Sequence, residues 1–77
     1  MPTVLRHKGY RFFFFSGESQ EPRHIHVEYA EKYAKFWLNP LSLARSRNFR
    51  MHELSAVRKI IEENKSLLEE KWDEYFG

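Results

Sequence analysis

Four phenylalanines stand in a row, Phe12 to Phe15, in a chain of 77 residues. Successive side chains of a strand point to opposite faces, so four consecutive rings cannot share one core. Such a run needs cover on both faces of a sheet, or one core face and one face that meets a partner. The chain carries seven Phe, four Tyr and two Trp. Each buried ring withdraws roughly 150–250 Å² from water. A chain this short buries only about 60–65% of the surface its unfolded form exposes, so rings are an efficient way to hold a thin core. Its length predicts a single domain over residues 1–77, with no linker or second domain. Cysteine is absent, which excludes disulfides and thiolate metal sites.

The pattern around the run is that of strands followed by helix. Thr3 to His7 is a short β-prone stretch, Lys8-Gly9 a turn, and Tyr10 to Ser16 the strongest strand signal. Gly17 to Pro22, with Ser19 in its middle, reads as a polar loop. His24 to Tyr29 alternates, with both His on one face and Ile25, Val27 and Tyr29 on the other. Glu31-Lys32 fits a hairpin turn, and Ala34 to Leu38 forms the next strand, with Lys35 and Trp37 opposite Ala34, Phe36 and Leu38. Leu41 to Arg50 reads as an irregular, Arg-bearing connection. From Met51 the period changes to three and four through Leu54, Val57, Ile61, Asn64, Leu68 and Trp72, the stripe of an amphipathic helix. Asn64 interrupts the stripe, and Ser66 with Glu69 has the spacing of a capping box. The predicted class is α+β: an antiparallel sheet of three or four strands over about residues 3–38, covered by one bent or two consecutive helices over about 51–76.

Net charge is +2, unevenly placed: residues 1–50 carry nine Lys/Arg against four Glu, and the remainder four against seven acids. A basic face for phosphates or acidic proteins fits this polarity, as does plain solvated surface. The sharpest chemical feature is His24-x-His26, whose imidazoles share one strand face. Such a pair can act as base and acid about a phosphodiester, bind a metal with a third ligand from Glu21, Glu28 or His7, or simply be hydrogen-bonded strand histidines. No spacing enforces metal geometry, so neither metal nor cofactor is assigned. Arg11 and Lys35 flank the pair as candidate phosphate-holding groups, with Arg23 nearby. Arg45 and Arg47 form a second basic cluster with Arg50, and Trp37 is a candidate stacking surface. There is no Gly-rich phosphate loop, no nucleophile elbow and no helix-turn-helix pattern. No apolar run approaches a membrane span, and the first residues lack the order of a secretory signal, so a cytoplasmic setting is expected.

The segments Gly9-Tyr10-Arg11-Phe12-Phe13-Phe14, Glu21-Pro22, His24-Ile25-His26-Val27 and Ala34-Lys35-Phe36-Trp37-Leu38 occur in that order, followed by Glu53-Leu54, Ile60-Ile61, Glu63-Asn64, Leu67-Leu68, Trp72 and Phe76. This chain resembles the small prokaryotic family known as domain of unknown function 4160 over essentially its whole length. Arg23 stands where that family usually has a second proline. The resemblance implies a toxin-like component of a two-gene toxin–antitoxin-type module that binds a cognate antitoxin-like protein. Arg11, Glu21, His24, His26 and Lys35 are its candidate working face. Two functional classes are compatible with these residues. One is a toxin acting on RNA, with His24 and His26 as acid/base groups and Arg11 and Lys35 on the phosphate, in the manner of metal-independent ribonucleases. The other is a non-catalytic interaction module in which the same sheet face and the helix bind a protein partner, with an operon DNA-binding regulator as a third alternative; Glu21, Arg23, Trp37, Arg45 and Arg47 are the candidate binding residues. A homodimer through an edge strand or the aromatic face is a further expectation.

Overall fold

The computed structural model describes residues 3–18 and 20–77; Ser19 of the expected loop lies outside the described residues. Five strands, β1 (Thr3–His7), β2 (Tyr10–Phe13), β3 (His24–Tyr29), β4 (Lys32–Leu38) and β5 (Leu41–Arg47), precede two helices, α1 (Met51–Glu63) and α2 (Lys65–Phe76). The strands pair in sequence order, each antiparallel to the next. The α+β class is therefore as expected, with five strands where three or four were predicted. The extra strand is β5, in the segment read as an irregular connection. It is an edge strand with Leu43 to Arg47 exposed, so no buried face imposes a hydrophobic alternation on it.

Cross-strand pairing sets which residues share a face. Phe12 lies opposite Val27, Val27 opposite Ala34, and Ile25 opposite Phe36. These side chains and Leu38 are fully or almost fully buried against Val57, Ile60, Ile61, Leu68 and Trp72 of the helices. The amphipathic stripe read from Met51 onward is what covers the sheet. At roughly 1.5–3 kcal/mol per buried large apolar side chain, this layer is the main stabilising term of the fold.

The four-Phe run divides its rings. β2 ends at Phe13, short of the predicted Ser16, and of the four rings only Phe12 faces the helices from within the ladder, beside Tyr10. Phe13 points to the opposite face, onto His26. Phe14 leaves the ladder to meet Trp72 edge-on at 5.2 Å and Phe76 at 5.8 Å. Phe15 folds back over His26 at 4.3 Å.

The turns follow backbone chemistry. His7 pairs with Tyr10, leaving Lys8 and Gly9 as a two-residue loop with φ of 51° and 88°. Two positive φ values suit the right-handed twist of a hairpin. A side chain at Gly9 would also meet the Tyr29 ring, with a Cβ only 2.6 Å from Cε2. The next hairpin turns at Ala30-Glu31 rather than Glu31-Lys32, since Lys32 already pairs with Tyr29. Lys32 then ion-pairs with Glu53, tying this hairpin to α1.

The helical segment is two helices joined at Asn64. Its amide donates to the Ile60 and Ile61 carbonyls at 3.2 and 3.1 Å, and its Nδ2 donates to Ile60 O at 2.8 Å. Its own carbonyl accepts from Leu68 N at 2.9 Å, opening α2. The capping box expected at Ser66 and Glu69 does not form, because α2 starts at Lys65 and Ser66 lies inside its first turn. α1 starts without a Ser or Asp cap; Arg50 N donates instead to Glu53 Oε1 at 2.9 Å. Among the described residues no helix is long and apolar enough to cross a membrane.

Candidate functional site

The sheet face away from the helices is organised in cross-strand rows. One row runs Arg11, Glu28, Tyr33, Arg47; the next Phe13, His26, Lys35, Arg45; a third joins His24 to Trp37 and Ser42. The strand spacing that put both His on one face therefore also places Arg11, Lys35, Trp37, Arg45 and Arg47 on it. The loop after Phe13 folds back over the end of this face and carries Glu18 onto the His pair.

Both imidazoles are completely buried. A single carboxylate oxygen, Glu18 Oε1, lies 2.7 Å from His24 Nε2 and 2.6 Å from His26 Nε2. The far nitrogens are held as well. His24 Nδ1 lies 2.8 Å from the Pro22 carbonyl, which can only accept, so Nδ1 carries a proton. His26 Nδ1 meets the Tyr33 hydroxyl at 2.7 Å. The ring of His26 is stacked between Phe13 and Tyr33, while His24 is enclosed by Trp37 and Trp72.

These contacts set the electrostatics. Burial alone would push the Glu18 carboxyl up, but hydrogen bonds and positive charge from His24 and His26 hold it below the ordinary carboxylate value. Burial pushes His26 down; the bond and charge of Glu18 oppose that shift, and the charges of His24 and Lys35 add to it. Glu18, His24 and His26 also bring one potential ligand atom each to within 4.8 Å of one another.

The cations around the pair are differently engaged. Arg11 donates to Glu28 at 2.8 Å and lies over Phe13. Lys35, almost buried, donates to Glu21 at 2.6 Å and sits 4.6 Å above the Trp37 ring. Both flank the His face, yet each is turned to its own carboxylate rather than to a shared point. Arg23 donates twice to Asp73, joining the approach to β3 with α2. Arg45 and Arg47 are exposed at 5.9 Å from the Tyr33 ring, with no carboxylate partner among the described residues. They border an open concavity of about 460 Å³ lined by Phe13, Phe15, Glu28, Tyr33 and Ser46.

Sequence reasoning named three candidates for a third ligand of the His pair, and none of them joins the cluster that converges on it. Glu21 serves Lys35 and Glu28 serves Arg11, while His7 pairs at the other end of the sheet, in β1. The group that meets both rings is Glu18. Its only sequence signal is an acid in the loop entering His-x-His, and how a loop folds back is not written in strand periodicity. Tyr33 was likewise missed, although its place two residues before Lys35 puts it on the same face.

Chemically, the enclosed pair is a rigid, fully bonded centre, while the Tyr33–Arg45–Arg47 side is open to a ligand. The family model for a domain of unknown function (DUF4160) matches residues 9–73, and the chain belongs to that family. No curated protein and no solved structure matches it.

Proposed function

We propose, taking membership of that family as the premise, that the chain is the toxin-like component of a two-gene module and that it works by binding single-stranded RNA on the open sheet face. The observation that carries this reading is the pair of exposed, carboxylate-free guanidiniums of Arg45 and Arg47 beside Tyr33, at the rim of an aromatic concavity. Arginines that hold phosphates next to rings on which bases stack are the general equipment for single strands. Binding is favoured over cleavage because His24 and His26 are both enclosed and both bonded to Glu18. An acid/base step would require the Glu18 loop to lift off first.

A cognate antitoxin-like protein has a separate place to dock. The free edge of β5 is flanked by a groove of about 300 Å³ lined by Phe36, Leu43, Met51, Leu54 and Arg58, in which Leu43 and Met51 are exposed. An added strand along an open edge, with apolar side chains entering the neighbouring groove, is a common way for one chain to hold another.

The test has two arms. Labelled single-stranded RNA is titrated with the chain and with its Arg45→Ala/Arg47→Ala variant, which is expected to bind at least about tenfold more weakly at moderate salt. The chain is also expressed with and without the adjacent gene product, followed by co-purification and sequencing of RNA ends. Equal affinity of chain and variant would overturn the assigned face. New RNA ends that disappear with His26→Ala would restore the catalytic alternative.

A further inference from the structure

We propose that His24, His26 and Glu18 form a binding site for one divalent transition-metal ion, with Zn²⁺ the best fit, independent of the RNA-binding reading. The two Nε2 atoms converge on the same carboxylate oxygen, and the three ligand atoms lie within 4.8 Å of one another. Convergence of two buried imidazoles on one carboxylate oxygen is a demanding arrangement, since both rings are fully desolvated and the carboxylate largely so. An ion between them satisfies all three at once.

The outer contacts are those a metal-binding imidazole needs. His24 Nδ1 donates to the Pro22 carbonyl, and His26 Nδ1 is free to donate to the Tyr33 oxygen. The Pro22 bond fixes the His24 tautomer that leaves Nε2 as a ligand, the Tyr33 hydroxyl accommodates the same tautomer in His26, and both bonds hold the rings in place. The rings are further immobilised by Phe13, Phe15, Tyr33 and Trp72.

The donor set discriminates among ions. Two imidazoles and one carboxylate suit Zn²⁺ and its transition-metal neighbours, whereas Mg²⁺ and Ca²⁺ prefer more oxygen ligands. Bonds of about 2.0–2.1 Å at tetrahedral angles put ligand atoms roughly 3.3 Å apart. From separations of up to 4.8 Å, the two ring nitrogens therefore close by up to about 1.5 Å while the Glu18 oxygen withdraws by less than about 1 Å from each. Glu18 can do so because it is carried by a loop and its side chain is 20% exposed. The nearby cation, Lys35, is neutralised by Glu21. A bound ion clips the loop after β2 to β3, fixing Phe15 over His26.

The experiment uses the full chain without an affinity tag, stripped with a chelator and titrated with Zn²⁺ by calorimetry and by NMR of the His side chains. One equivalent is expected to bind, with the Nε2 resonances of His24 and His26 shifting and those of His7 and His52 unmoved. Co²⁺ at the same site is expected to show the visible bands of a four- or five-coordinate ion. Loss of an outer partner costs about 10–100-fold in affinity. Tyr33→Phe is therefore expected to weaken binding about tenfold, and Glu18→Gln, which alters a ligand, by more than about 100-fold. The wild-type resonances decide the matter even where a variant misfolds. A flat titration, shifts confined to His7 or His52, or undiminished binding by folded Glu18→Gln would each overturn the site.

Discussion

Removing the Glu18 carboxylate leaves two buried imidazole nitrogens without their shared acceptor. In Glu18→Ala, His24 Nε2 and His26 Nε2 both lose bonds of 2.6–2.7 Å, and the rings themselves are fully enclosed. Leaving a buried polar group unsatisfied costs about 1–3 kcal/mol. The Glu18 side chain is 20% exposed, so truncation admits some water and about 1–1.5 kcal/mol applies to each ring. The expected loss is about 2–3 kcal/mol, against a total stability of about 4–12 kcal/mol for a chain of this size. With about 4–8 °C per kcal/mol for small domains, Tm falls by roughly 10–20 °C. Thermal unfolding followed by circular dichroism, in chelator at neutral pH, reads this directly. Glu18→Gln retains one acceptor and is expected to lie between the two. The exposed Arg23–Asp73 pair supplies the contrast, since Arg23→Ala is expected to leave the melting temperature nearly unchanged. A Glu18→Ala variant that melts within about 2 °C of the parent would refute the reasoning, because the buried nitrogens would then need no acceptor.

The same cluster dictates an acid limb of stability. The folded His26 value lies below its ordinary 6.5, so the unfolded chain binds more protons there and the contribution is complete above about 6.5 and lost as pH falls through the folded value. Glu18 lies below its ordinary 4.5, so its contribution is present above about 4.5 and lost below it. Urea midpoints are expected to be level from pH 7 to 8 and to fall in acid, with a shallower fall in His26→Ala. At the first hairpin, Gly9→Ala forces a side chain into φ 88° and towards the Tyr29 ring; an expected cost of about 1–2 kcal/mol is measured by the same denaturation.

The legible parts of the fold are those in which burial writes a period. His24 to Tyr29 and Ala34 to Leu38 alternate because one face lies under the helices, and the sidedness read from them is the sidedness found. The stripe from Leu54 to Trp72 repeats at helical spacing for the same reason. β5 carries no such record. Its residues are held by backbone pairing to β4 while most side chains face water, so propensity alone had to identify it. Residues of the site reached through the strand period, His24, His26 and Lys35, fall on one face, and Arg45 and Arg47, read as a basic cluster on a connection, join that face through the pairing of β5 with β4. Glu18 is brought by a loop whose path depends on Phe14 finding Trp72, a tertiary contact with no local signature. The Phe run itself was informative in a different way. It required two covered faces, and the second is a cage around two histidines rather than a free hydrophobic surface.

The salt dependence of RNA binding tests the central claim most directly. For single strands, log K against log salt has a slope of about −0.7 per phosphate contact. If Arg45 and Arg47 each hold a phosphate, the slope for Arg45→Ala/Arg47→Ala becomes shallower by about 1.4, while its Tm stays unchanged because neither guanidinium has a carboxylate partner among the described residues. Parallel slopes for chain and variant, or no saturable binding by the parent chain, would contradict the account.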